Sequence, residues 1–365
     1  MATSYIGADV DSKMTDLAVE RNGRIGQRFR VPTTITALRE VLEQIPAPKQ
    51  LALEEGSMAQ WLYDNLRDLV ERLVVCDPRR NKLIDQDGDK DDAIDAAKLA
   101  TLLRGGFLRE VHHSDQLAHV TLKQWVGLYH DRVREAVRQV NKLRGRARMF
   151  GLRPPRGALR IPTRRPPWLA ELGSHPLANQ MRLLWLGYDA AVAQVAIARR
   201  EMLQQAQGCS ILDLWQQLPG IGPVRALTLY AYLETPWRFA NNPKKLWKYC
   251  GVGLVRTSSG KDSKGRLKVG RLQLAWQVNR RLKDAVMGAA ISAIGQETNV
   301  FAEEYRRMTQ AGMSPGNARH AVARKLLSVL WSMWKTMTPF DPRWVREPAW
   351  PERSACSAGG AIPSH

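Results

Sequence analysis

The chain has 365 residues, 44% of them hydrophobic, and sets 55 Lys and Arg against 35 Asp and Glu for a formal net charge of +20. That length accommodates two domains with cores of their own, and a pI near 10.2 points to a polyanionic partner, nucleic acid first, while saying nothing about fold. Cys76, Cys209, Cys250 and Cys356 are scattered without CxxC spacing, which argues against a zinc site or a disulfide framework; no secretory leader pattern and no apolar run near about eighteen residues is present, so a cytoplasmic, non-membrane protein is expected.

The first hundred residues read as alternating strand and helix. "SYIGADVD", "KMTDLAVER" and "GQRFRVP" are three short strands of an antiparallel meander. "TTITALREVLEQI" has a Thr cap and helical spacing, "QLALEE" is a buried strand, "MAQWLYDNLRDL" a helix, and "ERLVVCDP" a strand stopped by Pro78. A helix follows in "DDAIDAAKLA", with Asp89 or Asp91 placed to cap it. The order predicts an α/β domain, a mixed sheet flanked by helices.

From about residue 115 the pattern becomes long and helical. "SDQLAHVTLKQWVGLYHDRVREAVRQVNKLRGRARMFGL" carries Leu117, Val120, Leu122, Trp125, Leu128, Val133, Val137 and Val140 near a 3.5-residue spacing. "RPPRGALRIPTRRPPW" interrupts it, and "PLANQMRLLWLGYDAAVAQVAIARREMLQQA" supplies a second long helix, so a helical hairpin or coiled-coil arm is expected. Between Lys123 and Arg165 there are thirteen Lys or Arg against two acids, Asp131 and Glu135, which makes Arg144, Arg146 and Arg148 candidate contacts for a nucleic-acid backbone. Short helices and Gly-rich turns follow. The expected organisation is thus a sheet domain over 1–114, an arm over 115–208, a mainly helical region over 209–340 and a disordered tail over 341–365.

Four acids stand where chemistry is expected. Asp9 closes the first strand, and Glu54 and Glu55 close the fourth; neighbouring strand ends bring carboxylates together, and such like charges need a compensating cation. Asp92 and Asp95 are three apart and share one face of a helix. Asp9, Glu54, Asp92 and Asp95 would form an all-oxygen pocket suited to two Mg²⁺ or Mn²⁺ ions, the arrangement that serves phosphodiester cleavage. Taken singly, each acid is equally an ordinary capping or surface residue.

"GADVDSK", "LALEEGSMAQWL", "VVCDPRRNKLI" and above all "KDDAIDAAKLA" resemble the RNase-H-like (RuvC-like) domain of the DEDD-type insertion-sequence transposases, the IS one-ten and IS eleven-eleven groups. The family's K-x-D-x-x-D-A-x-x-L-A pattern falls on Lys90, Asp92, Asp95, Ala96, Leu99 and Ala100. The family's second acid is usually followed within a few residues by Thr-Gly and an aromatic, where this chain reads Glu54-Glu55-Gly56-Ser57, so Glu55 stands as an alternative to Glu54.

Farther on, "LPGIGPVRALTLYAYL" reads as a helix-hairpin-helix turn, with Gly220 and Gly222 permitting close approach to a phosphate, or as an ordinary helix-helix turn. "YCGVGLVRTSSGKDSKGRLKVGRLQLAWQV" is similar to the same family's carboxy-terminal domain, whose Ser-Gly pair falls on Ser259 and Gly260. The resemblance implies that Ser259, with Ser258 as the neighbouring alternative, is a nucleophile that joins a DNA phosphate. Lys261, Lys264, Arg266, Lys268 and Arg271 surround it and are suited to hold phosphates. No histidine neighbours the serine, so its activation would fall to the distant carboxylates, and a dimer or tetramer in which the two regions meet is expected.

The resemblance implies excision and insertion of a mobile DNA element, with a structured non-coding guide RNA pairing to donor and target DNA; delegated base pairing would account for the lack of a base-reading motif. Two other readings remain open from the residues: a Holliday-junction nuclease using water with the same four acids, and a non-catalytic nucleic-acid-binding protein.

Overall fold

The computed structural model describes residues 2–78, 92–256, 272–275, 278–296 and 298–346, with the backbone alone at 92 and 93. It divides into two compact units, residues 1–115 and 116–365.

In the first unit the elements follow the order expected from the sequence: β1 (Ser4–Val10), β2 (Met14–Arg21), β3 (Arg24–Pro32), α1 (Ile35–Gln44), β4 (Lys49–Glu54), α2 (Ala59–Leu66), β5 (Arg72–Cys76) and α3 (Asp92–Arg104). The strands lie in the order β3-β2-β1-β4-β5, with β1, β2 and β3 antiparallel and β4 and β5 parallel to β1. Asn22 and Gly23, both at positive φ, make the two-residue turn that joins β2 to β3. Thr34 caps α1 by accepting from the Ala37 amide at 3.3 Å.

Alternation along each strand sorts the side chains between two layers. Ile6, Ala8, Leu17, Val19, Leu51, Leu53, Leu73 and Val75 pack with Leu38, Leu42, Leu62 and Leu66 of α1 and α2. The opposite face carries α3, whose Leu103 packs on Ala52 and Val74 with Tyr5 alongside. Strand β3 is mostly exposed and carries Arg24, Arg28 and Arg30, charges that suit an unpaired sheet edge.

The second unit opens with the expected hairpin of long helices, α4 (Leu117–Met149) and α6 (Leu177–Gln204). At 33 residues α4 spans about 50 Å. It bridges two cores: Leu122 and Val126 belong to the large helical core, whereas Val140, Leu143 and Ala147 belong to a small one at the far end of the hairpin. The apolar stripe read from the sequence is therefore only partly buried, since Leu117, Leu128 and Val137 are exposed. A straight helix repeats every 3.6 residues, and the seam drifts off a 3.5-residue pattern between the two cores.

The proline-basic stretch between these helices contains a short helix of its own, α5 (Arg165–Leu172), with prolines in its first turn where no intrahelical N–H is needed. Beyond α6 come α7 (Ser210–Gln216), α8 (Pro223–Leu233), α9 (Pro243–Tyr249), β6 (Leu254–Arg256), β7 (Leu272–Leu274), α10 (Arg280–Ile294), α11 (Val300–Gln310) and α12 (Pro315–Thr336). The paired strands β6 and β7 depart from the helix-and-turn expectation for this region.

Helix α12 is the centre of the large core, with Leu326, Leu327, Leu330, Trp331 and Met333 buried. The buried indoles are satisfied: Trp215 donates to the Leu330 carbonyl at 3.2 Å and Trp331 to the Pro236 carbonyl at 2.7 Å. Among the described residues no helix is long and apolar enough to cross a membrane.

Candidate active site

Strand register places the first two acids. Ala8 of β1 pairs with Leu53 of the parallel strand β4, so Asp9 and Glu54 stand one residue beyond that pair, side by side at the carboxyl ends of adjacent strands. Ala8 and Leu53 face α1 and α2, so alternation puts Asp9 and Glu54 on the opposite face, the one that α3 covers. Glu55 has a different environment: its Oε2 lies 2.8 Å from His113 Nε2, and His113 Nδ1 lies 3.0 Å from Gln60 Oε1.

Gly7 sets how closely α3 approaches. A Cβ at this position would run into the Ala96 carbonyl and the Ala100 amide and come within 2.8 Å of Leu99 Cβ, so the helix backbone rests directly on the strand. The carboxyl end of α3 is tied to β2 near the start of β1, where Glu20, the partner of Tyr5, accepts from Thr101 Oγ1 at 2.7 Å and from Arg104. Helix α3 therefore runs antiparallel to β1, and its amino-terminal turns lie toward Asp9.

From Gly7 to Asp9 is about 7 Å along the strand, or between four and five residues of helix at ~1.5 Å each. Counting back from the Ala96–Ala100 hydrogen bond by that amount reaches the turn bounded by Asp92 and Asp95. Asp95 is partly exposed, with Lys98 Nζ 3.9 Å from its carboxylate. The Asp92 side chain is outside the described residues.

Asp16 was not singled out by the sequence reading. It is the cross-strand partner of Asp9 on β2, is buried, and has Arg30 Nε at 3.9 Å. Directly opposed residues share a face, so Asp16, Asp9 and Glu54 form a row of carboxylates across three strands at one level. The signal for it in the sequence is Asp16 within the apolar alternation of "MTDLAVER", a costly residue in a buried strand.

Among the described side chains no group of three or more His, Cys, Asp or Glu closes to metal-holding distance. Repulsion between carboxylates favours separate partners such as Lys98 for Asp95 and Arg30 for Asp16. The donors that share this face offer oxygen alone, a set that fits hard cations such as Mg²⁺ or Mn²⁺.

Ser258, Ser259, Lys261, Lys264, Arg266, Lys268 and Arg271 lie outside the described residues. The segment carrying them joins β6 to β7, whose pairing brings Arg256 opposite Leu272.

Gly220 and Gly222 occupy the turn between α7 and α8 as the sequence predicts, but their demands differ. Gly220 has φ +82, and a Cβ there would collide with the Ala289 carbonyl of α10, so helix packing alone requires glycine; Gly222 is the residue preceding α8, with open space around it. Arg144 and Arg148 line a cavity at the far end of the arm, and Arg146 is not among its lining residues. The Cys250 thiol is fully buried and pushed well up by that burial, so it is a packing residue.

Comparison with known proteins places these features in a family. A family profile described as "Transposase" matches residues 6–147, the stretch holding Asp9, Glu54, Asp92 and Asp95. A second, "Transposase IS116/IS110/IS902 family", matches residues 212–306, which hold the Gly220 turn and Ser259. The chain is also 24% identical over 359 residues to a Sinorhizobium fredii (strain NBRC 101917 / NGR234) protein named "Putative transposase y4qE", covering 90% of this chain and 88% of that one. With both profiles in chain order on the carboxylate sheet and the serine-bearing region, the chain belongs to the IS116/IS110/IS902 family of transposases.

Proposed function

We propose that this transposase cuts and rejoins DNA strands with Ser259 as covalent nucleophile, and that Asp9, Glu54, Asp92 and Asp95 hold two Mg²⁺ or Mn²⁺ ions. The observation that supports the reading is the strand register that sets Asp9 and Glu54 side by side on the face that α3 covers, with the amino-terminal turns of α3 toward Asp9. Divalent cations held there supply Lewis-acid polarisation of a phosphate and stabilise developing negative charge.

The chain's own residues do the rest. The Ser259 hydroxyl attacks the phosphorus and loses its proton; the bond from phosphorus to one sugar oxygen breaks, and that oxygen takes up a proton. Reversal against a second strand end restores the serine and joins the strands, so the phosphodiester is conserved through the exchange. Lys261, Lys264, Arg266, Lys268 and Arg271 neutralise the phosphates flanking the scissile one. Target choice falls to a structured guide RNA, a division of labour supported by the strongly basic composition and by a sequence without a base-reading motif. The chemistry needs the serine brought to the carboxylates, which a dimer or tetramer provides.

The test uses the full chain with donor and target DNA, guide RNA and Mg²⁺. Ser259→Ala is expected to abolish any covalent protein–DNA adduct and all strand exchange, and Asp95→Asn to lower cleavage roughly a hundredfold or more. Adduct formation by Ser259→Ala would assign the nucleophile elsewhere. Undiminished recombination by Asp95→Asn would remove the carboxylates from the mechanism.

A further inference from the structure

The loop at the far end of the helical arm encloses a cavity of about 730 Å³ lined by Arg144, Arg148, Arg153, Arg156 and Arg160. We infer that this cavity is a clamp for the phosphodiester backbone of nucleic acid, built from none of the residues proposed for catalysis and indifferent to base sequence.

Three features support it. First, the five guanidinium groups are exposed, and none forms an ion pair with a carboxylate among the described residues; Arg144 donates only to Asn141 at 3.0 Å. Arginines in the last turn of a helix complement its dipole, which accounts for Arg148 but leaves Arg144 and the loop residues Arg153, Arg156 and Arg160 unexplained. Like charges around one cavity repel until an anion enters.

Second, the cavity is built. Arg165 is buried and grips Asp189 through two hydrogen bonds of 2.6 Å, with its guanidinium 5.1 Å from the Trp185 ring centroid. Trp185 donates to the Leu159 carbonyl at 3.2 Å and Arg164 to the Arg156 carbonyl at 2.7 Å. Gly157 turns the chain at φ +86, where a Cβ would come 2.9 Å from Ile161 Cδ1, and Ala158 is buried in the core of the tip. These contacts fix the backbone of the loop that carries Arg156 and Arg160 before any ligand arrives, which lowers the ordering cost of binding.

Third, the size fits a run of sugar and phosphate better than a single oxyanion, and forked guanidinium groups suit phosphate oxygens. The inference rests on the reading of the chain as an enzyme that handles nucleic acid.

The experiment measures fluorescence anisotropy of the full-length protein with a labelled duplex DNA of arbitrary sequence and, separately, an RNA stem-loop, across a KCl series. The variant Arg153→Gln/Arg156→Gln/Arg160→Gln is expected to bind at least one of the two about tenfold or more weakly, with the log–log salt slope reduced by about 2 to 3. Loss for RNA alone assigns the clamp to the guide, and loss for DNA alone assigns it to the element or target. Three Arg→Lys replacements are expected to keep most of the salt slope while losing part of the affinity, and circular dichroism checks that each variant is folded. Wild-type affinity and slope for both nucleic acids in a folded Gln variant would overturn the clamp. Asp95→Asn, assayed in parallel for cleavage, tests the catalytic reading, so the two failures are distinguishable.

Discussion

Gly7 shows how one residue places chemistry that another performs. Asp9 is visible in the sequence as an acid at a strand end, but the glycine two places before it lets α3 settle onto β1 with its amino-terminal turns toward Asp9. Its contacts, Ala96, Leu99 and Ala100, lie some ninety residues away, so no local pattern reveals the requirement. Gly7→Ala puts a methyl group against helix backbone, which cannot yield as a flexible side chain would, and is expected to destabilise the first unit by about 2–3 kcal/mol. Urea denaturation of the variant measures it. An unchanged midpoint would mean that α3 can shift without cost and that Gly7 does not set its position.

At the scale of elements, legibility followed periodicity. The five strands and three α-helices among the described residues of the first unit are legible because apolar alternation and helical spacing are each confined to one short segment. The arm was read as two helices but its buried face was not. Leu122 and Val126 serve one core and Val140 and Leu143 another, and a single continuous seam is the wrong template for a helix shared between two. Helix α5 was hidden because its prolines, which mark breaks inside a helix, sit in its first turn.

Among the polar contacts at the tip of the arm, the pairing of Arg165 with Asp189 lies against the rings of Trp185 and Tyr188 in a small apolar core. Arg165→Ala leaves Asp189 without its partner and removes the cation from both rings, at an expected local cost of about 1–3 kcal/mol. Hydrogen exchange should rise through residues 150–172 while α12 keeps its protection. Unchanged exchange at the tip would show that its apolar contacts suffice.

At the scale of the whole molecule, the two units bury separate cores, and separate cores permit separate unfolding transitions. Each unit contains a residue that can serve as its reporter. Gly7 reports on the first. Glu304 reports on the second: it is buried on α11, bonds Arg307 at 2.8 and 2.9 Å and pairs with Lys325 at 3.2 Å. The Arg307 hydrogen bonds, with help from Lys325, lower its carboxyl to about 2 from an ordinary 4.5. A depressed carboxylate stabilises the fold above its unfolded value, and that contribution is lost as pH falls from 4.5 toward 2. Calorimetry is expected to resolve two transitions, with Gly7→Ala lowering one and leaving the other in place. Acidification through that window should lower the other more steeply in the wild type than in Glu304→Gln, because the variant has no carboxylate left to protonate. A single transition moved equally by both substitutions would mean that the units unfold as one cooperative body.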